Sequence, residues 1–95
     1  FYFKGAIVLT AVNGEDGWKK FQENQPDIVI TDLEMETPDA GFLLTKRMKT
    51  VSPDTPVIML TGADPEKPDC VDSLLSKPFE AYVLKEEILK SLERR

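Results

Sequence analysis

Residues 27–32 read Asp-Ile-Val-Ile-Thr-Asp, an apolar β-branched run with an aspartate at each end. A run that is apolar without alternating suits a strand buried on both faces of a parallel sheet. The pattern continues in both directions. Upstream, residues 7–12 form a second run rich in β-branched side chains, closed by the turn signal Asn13-Gly14. Between the two runs, residues 15–24 read as a helix that Gln25-Pro26 stops. Trp18 and Phe21 lie on its inner face as core residues, and Lys19, Lys20 and Glu23 on its outer face.

Downstream, the spacing predicts a helix over residues 41–50, with Leu44 and Met48 one turn apart. Residues 57–60 (VIML) read as a third buried strand, closed by Thr61-Gly62. Pro65 and Pro68 limit residues 64–71 to a turn or two of helix, because an internal proline loses a hydrogen bond and clashes with the preceding turn. Residues 73–76 (SLLS) are a short fourth strand leading into Lys77-Pro78-Phe79. Residues 80–95 form the last helix, with Leu84, Ile88 and Leu92 as an inward stripe and a solvated charged face over 85–95. Strands and helices in alternation imply an α/β fold with right-handed crossovers, here as a single domain over 1–95.

Composition narrows the chemistry. The formal net charge of −5 argues against binding a phosphate backbone, so no nucleic-acid partner is expected. There is no histidine, and Cys70 is the only cysteine, which excludes an internal disulfide, a zinc site and Ser-His or Cys-His catalysis within the chain. Cys70 reads as an inert loop thiol. Residues 1–12 are apolar but broken by Lys4 and Gly5, too short to span a bilayer and without signal-peptide features. The chain opens on Phe1, as expected of a piece of something longer or of a processed or engineered product.

In open parallel sheets function gathers at the carboxyl ends of the strands. Those ends carry Asp32, Thr61 and Lys77: an acid, a hydroxyl and an amine at one edge. A carboxylate oxygen can attack a phosphoryl group and hold it as an acyl phosphate. The group's spread negative charge needs a cation and hydrogen-bond donors, which Lys77, Thr61 and the backbone N–H groups near Gly62 and Ala63 can supply.

The strings NGEDGW, PDIVITDLEM, TPVIMLTG and SKPF, in that order, resemble the receiver domains of two-component response regulators. The resemblance covers nearly the whole chain and implies a flavodoxin-like open parallel sheet. It implies that Asp32 is the phospho-acceptor, that Thr61 is the hydroxyl whose rearrangement signals phosphorylation, that Lys77 is the family's lysine, and that the Lys77–Pro78 bond is cis. It further implies a cytoplasmic protein that takes phosphate from a histidine kinase or phosphotransfer protein, with Mg²⁺ as cofactor and no membrane contact.

The chain also departs from that pattern. Receivers begin with a strand ending in two adjacent acids that hold Mg²⁺, and no strand here ends so. Residues 1–5 align with the end of the family's first helix, so the chain is truncated at its start relative to the family. Asp32 and the backbone carbonyl of Glu34 remain as family-type metal contacts, too few for a dedicated Mg²⁺ site, so phosphorylation is expected to be weak or absent. The missing strand is the family's central one, in the order 2-1-3-4-5. Either residues 7–12 move in beside residues 28–30, or another chain fills the gap. Exposed edges and faces then favour a dimer or higher oligomer.

The loop over 34–41 is a residue longer than the family's, and reads as mobile and acidic through Glu34, Glu36 and Asp39. Leu74 stands where many receivers carry an aromatic switch residue. Two other functions stay open on these residues. One is a pseudo-receiver, the same fold used as a phosphorylation-independent interaction module. The other is a haloacid-dehalogenase-like phosphatase, with Glu34 as its acid–base residue; the receiver itself is not expected to be an enzyme.

Overall fold

The apolar runs pair in the order in which the chain lays them down. The computed structural model describes residues 2–63 and 65–94, the side chain of Arg94 excepted. The elements are β1 (Tyr2–Phe3), β2 (Ala6–Ala11), α1 (Gly14–Asn24), β3 (Ile28–Asp32), α2 (Ala40–Val51), β4 (Val57–Thr61), β5 (Ser73–Ser76) and α3 (Ala81–Arg94). They form a five-stranded sheet in the order β1-β2-β3-β4-β5. β2, β3, β4 and β5 are parallel, with Val8 opposite Ile28, Val29 opposite Val57, and Ile58 opposite Ser73. Residues 7–12 have thus moved in beside residues 28–30, the first of the two arrangements open to the sequence.

Because every parallel pair joins consecutive strands, right-handed crossovers carry α1 and α2 onto the same face. Leu9, Ala11, Val29 and Val57 meet Phe21 of α1 and Leu44 and Met48 of α2 there, with Trp18 packed at the margin. Val8, Ile28, Ile30 and Ile58 face the other way, onto Ile88, with Leu84 and Leu92 partly buried beside them. The central strands are therefore sealed on both faces: Ile28, Val29, Val57 and Ile58 have no exposed surface.

α1 begins where Asn13 accepts a hydrogen bond from the Asp16 N–H at 2.7 Å, and ends at Gln25 in the left-handed region (φ 44°). At the amino-terminal edge of the sheet, carboxylates tie strands together. Asp27 Oδ2 accepts from the Ile7 N–H at 2.7 Å, and Asp72 Oδ2 from the Val57 N–H at 2.7 Å and from Lys49 Nζ at 3.0 Å.

The start of the chain corrects the alignment-based expectation. Tyr2 and Phe3 are not the end of a helix but a strand antiparallel to β2, with Tyr2 opposite Ile7 and Phe3 opposite Ala6. Lys4 (φ 53°) and Gly5 (φ 81°) make the two-residue turn, the positive-φ pair that tight hairpins require. Phe3 packs onto the Ile28/Ile58/Ile88 cluster. That burial, with the hairpin pairing, favours strand over helix for two residues too few to hold a helical turn.

Between β4 and β5 the described residues 65–71 contain no helix; Asp64 lies outside the described residues, as do Phe1 and Arg95 at the ends of the predicted elements. Val71 is buried, and its carbonyl accepts from Lys67 Nζ at 2.8 Å. Cys70 is a half-buried free thiol, as its place in a loop suggested. No helix is long and apolar enough to cross a membrane among the described residues.

Candidate functional site

The register of the sheet assembles the three polar residues. Asp32 is the last residue of β3, opposite Leu60; Thr61 ends β4, opposite Ser76; Lys77 follows β5, its N–H donating to the Thr61 carbonyl at 2.7 Å. The Lys77–Pro78 bond is cis, as expected.

Lys77 Nζ stands 2.9 Å from Asp32 Oδ1. This is an ion pair without hydrogen-bond geometry: Oδ1 is shut off from solvent and has no hydrogen-bond partner among the described residues. The Asp32 side chain is nevertheless 35% exposed, so its open surface lies on the side of the other oxygen. Lys77, at 47%, is half open to water, which screens the pair.

The loop after β3 is held closely to α2. The Gly41 N–H donates to the Leu33 carbonyl at 2.8 Å, and the Leu33 N–H to the Leu60 carbonyl at 2.7 Å. A Cβ at Gly41 would run into the Asp32 carbonyl oxygen, so only glycine lets α2 start so near the aspartate. Family sheets of order 2-1-3-4-5 reverse direction and open a crevice at the reversal. Here consecutive strands are neighbours throughout, so the described sheet has no such reversal, and Asp32 and Thr61 end adjacent strands β3 and β4.

Thr61 does not point at an empty position. Its hydroxyl donates to Glu34 Oε2 at 2.6 Å, and the Gly62 N–H donates to Glu34 Oε1 at 2.9 Å. The Ala63 N–H donates to Thr61 Oγ1 at 3.0 Å. The Thr61 hydrogen bond, then the Gly62 N–H, hold the Glu34 carboxyl below its ordinary range against a small opposing effect of burial, and Lys77 adds a weaker pull.

Each acid of the loop has a hydrogen-bond partner. Glu36 receives the Gly14 N–H at the start of α1 on both oxygens, at 3.0 and 2.9 Å, and Asp39 Oδ1 accepts from the Thr37 hydroxyl at 2.9 Å. The sequence points to Glu34 for its backbone carbonyl, or as a phosphatase acid; in the structure its side chain reaches Thr61, 27 residues away.

The residues present do not fit a Mg²⁺ site. The ion prefers near-octahedral oxygen coordination, yet no group of three or more His, Cys, Asp or Glu residues placed to hold a metal gathers among the described residues. Asp32 Oδ1 faces Lys77, and both Glu34 oxygens are occupied.

A family model described as the response regulator receiver domain matches residues 3–94. The chain belongs to the response-regulator receiver family. The receiver is 32% identical over 79 residues to the oxygen regulatory protein NreC of Staphylococcus epidermidis, covering 83% of the chain but 35% of the relative. It thus spans about a third of the length of the curated relatives it matches. Among solved structures it resembles the response regulator TrrA of Thermotoga maritima, in complex with Mg²⁺ and BeF, at TM-score 0.76 and 31% identity over 86% of this chain and 74% of that one. A receiver domain from Clostridium thermocellum matches at TM-score 0.74 and 30% identity, over 92% and 75%. Membership of the receiver family sets aside the haloacid-dehalogenase-like reading.

Proposed function

We propose that this receiver accepts a phosphoryl group on Asp32 from a histidine kinase or phosphotransfer protein and relays the change through Thr61. The observation that carries the reading is the Asp32 carboxylate, with one oxygen turned to the Lys77 ammonium at 2.9 Å and the side chain still partly exposed. The open oxygen attacks the phosphorus of a phosphohistidine. A P–O bond forms as the P–N bond breaks, and the electron pair leaves on the imidazole nitrogen, which takes a proton from water. Lys77 offsets charge on the phosphoryl oxygens, and Thr61 and Gly62 are donors on the neighbouring strand. With no fitted metal to neutralise charge, transfer is slow.

The test is intact mass after incubation with a small phosphodonor such as phosphoramidate, with Asp32→Asn in parallel. One added phosphate in the parent and none in the variant supports the reading. No addition in either leaves the second reading, a phosphorylation-independent interaction module. That reading draws on a separate observation, the Glu34 carboxylate on the donors that a phosphoryl group needs.

A further inference from the structure

We infer that Glu34 is a resident anion in the phosphoryl seat, and that the site admits a tetrahedral anion only when this carboxylate leaves. The inference rests on reading Asp32, Thr61 and Lys77 as a phosphoryl site, and adds a residue that controls entry to it.

The geometry is that of an oxyanion with two oxygens, each on its own donor: Oε2 on the Thr61 hydroxyl at 2.6 Å, Oε1 on the Gly62 N–H at 2.9 Å. Hydrogen bonds to an ionised acceptor are shorter and stronger than neutral ones. Thr61 has no second proton to offer. A hydroxyl donates once, and its lone pairs already receive the Ala63 N–H at 3.0 Å. An incoming phosphoryl oxygen therefore competes for the same proton and the same N–H.

Charge sharpens the competition. Asp32 and Glu34 place two carboxylates around a single nearby ammonium, Lys77. A dianion entering beside both meets more repulsion than attraction, and moving Glu34 away removes half of the negative charge. Departure is feasible because Glu34 is exposed, while Glu36 pins the far side of the loop to α1. The side chain can swing out without unfolding the loop.

The same contacts bear on signalling. Thr61 is fully buried, and its hydroxyl is directed to the site by the Glu34 carboxylate. Glu34 thus takes the proton that a phosphoryl oxygen would need from the Thr61 hydroxyl.

The test titrates inorganic phosphate into the parent, Glu34→Gln and Glu34→Ala, following the Gly62 backbone amide by ¹⁵N NMR. The amide should shift upfield in Glu34→Ala before any addition, as it loses its acceptor. Phosphate should then shift it back at about tenfold lower concentration than in the parent, the ratio that about 1.4 kcal/mol of lost competition gives, with Glu34→Gln in between. An unmoved Gly62 amide in Glu34→Ala, or equal phosphate affinity in all three proteins, overturns the inference. Intact mass with phosphoramidate separates it from the reading beneath it. Tighter phosphate binding without any phosphorylated product keeps the Glu34 gate and sinks Asp32 as acceptor. Equal phosphorylation rates in parent and Glu34→Ala keep the acceptor and sink the gate.

Discussion

Replacing Gly41 by alanine probes how closely α2 must approach the acceptor loop. A Cβ there would run into the Asp32 carbonyl oxygen and lie 2.8 Å from Leu33 Cα. Both are backbone atoms, so no side-chain rotation relieves the overlap and the helix has to back away. Retreat also stretches the hydrogen bond from the Gly41 N–H to the Leu33 carbonyl, now 2.8 Å. Overpacking of this kind costs about 1–3 kcal/mol, and the weakened hydrogen bond about 1 kcal/mol more. Alanine's advantage over glycine inside a helix offsets about 1 kcal/mol of that. The balance is a loss of about 2 kcal/mol, which lowers the Tm of a domain this size by roughly 8–16 °C.

Gly14 supplies the control. The nearest atoms to a Cβ at that position are the Glu36 carboxylate oxygens at 3.5 Å, an ordinary contact, so Gly14→Ala should hold or slightly raise Tm. Thermal unfolding of the three proteins by circular dichroism reads the comparison. If Gly41→Ala melts at or above the parent while Gly14→Ala behaves as expected, α2 does not need to sit against the aspartate and the packing argument is wrong.

Lys77→Ala should change stability by less than about 1 kcal/mol, because the ion pair with Asp32 is half exposed. It should slow phosphorylation at least tenfold by intact mass, and an unchanged rate would remove Lys77 from the chemistry. Glu34 should titrate below its ordinary 4.5 in a carboxyl NMR experiment, and Thr61→Val should bring it back up. The linked stabilisation is present above the unfolded carboxyl's range and fades as pH falls through the lower folded value, so no loss on acidification would contradict it. Asp72→Ala leaves the Val57 N–H without its acceptor and Lys49 with the Thr55 and Pro53 carbonyls but no carboxylate, and should cost about 1–3 kcal/mol in urea unfolding, with Asp72→Asn milder. Sedimentation should show self-association, since β5 ends the sheet at an open edge and Tyr2 is 77% exposed; a monomer at all concentrations would refute it.

The parts of the fold legible in the sequence are those whose signal is local. Ile28–Val29–Ile30 and Val57–Ile58 announce buried strands because they are short, apolar, β-branched and bounded by prolines and turn residues. Asp32, Thr61 and Lys77 could be placed at one edge because each follows such a run, and parallel strands bring their carboxyl ends together. The hairpin at Tyr2–Phe3 escaped notice because its turn is Lys4-Gly5, and a lysine at positive φ is not a pairing that sequence rules favour. Glu34 and Glu36 escaped for a different reason. Their partners lie 27 and 22 residues away, and no local pattern distinguishes a clamped glutamate from a solvated one.

The β2–β3 ladder has a kinetic consequence. Four register pairs, Val8–Ile28 through Ala11–Thr31, occupy the slot beside β3, and the mutual bonds of Ile7 and Asp27 lock its foot. A strand donated by another chain, carrying an acidic pair, could reach Asp32 only by unzipping that ladder first. Complementation would then behave as strand exchange: its rate would rise with donor concentration at first and level off at the rate at which β2 peels from β3.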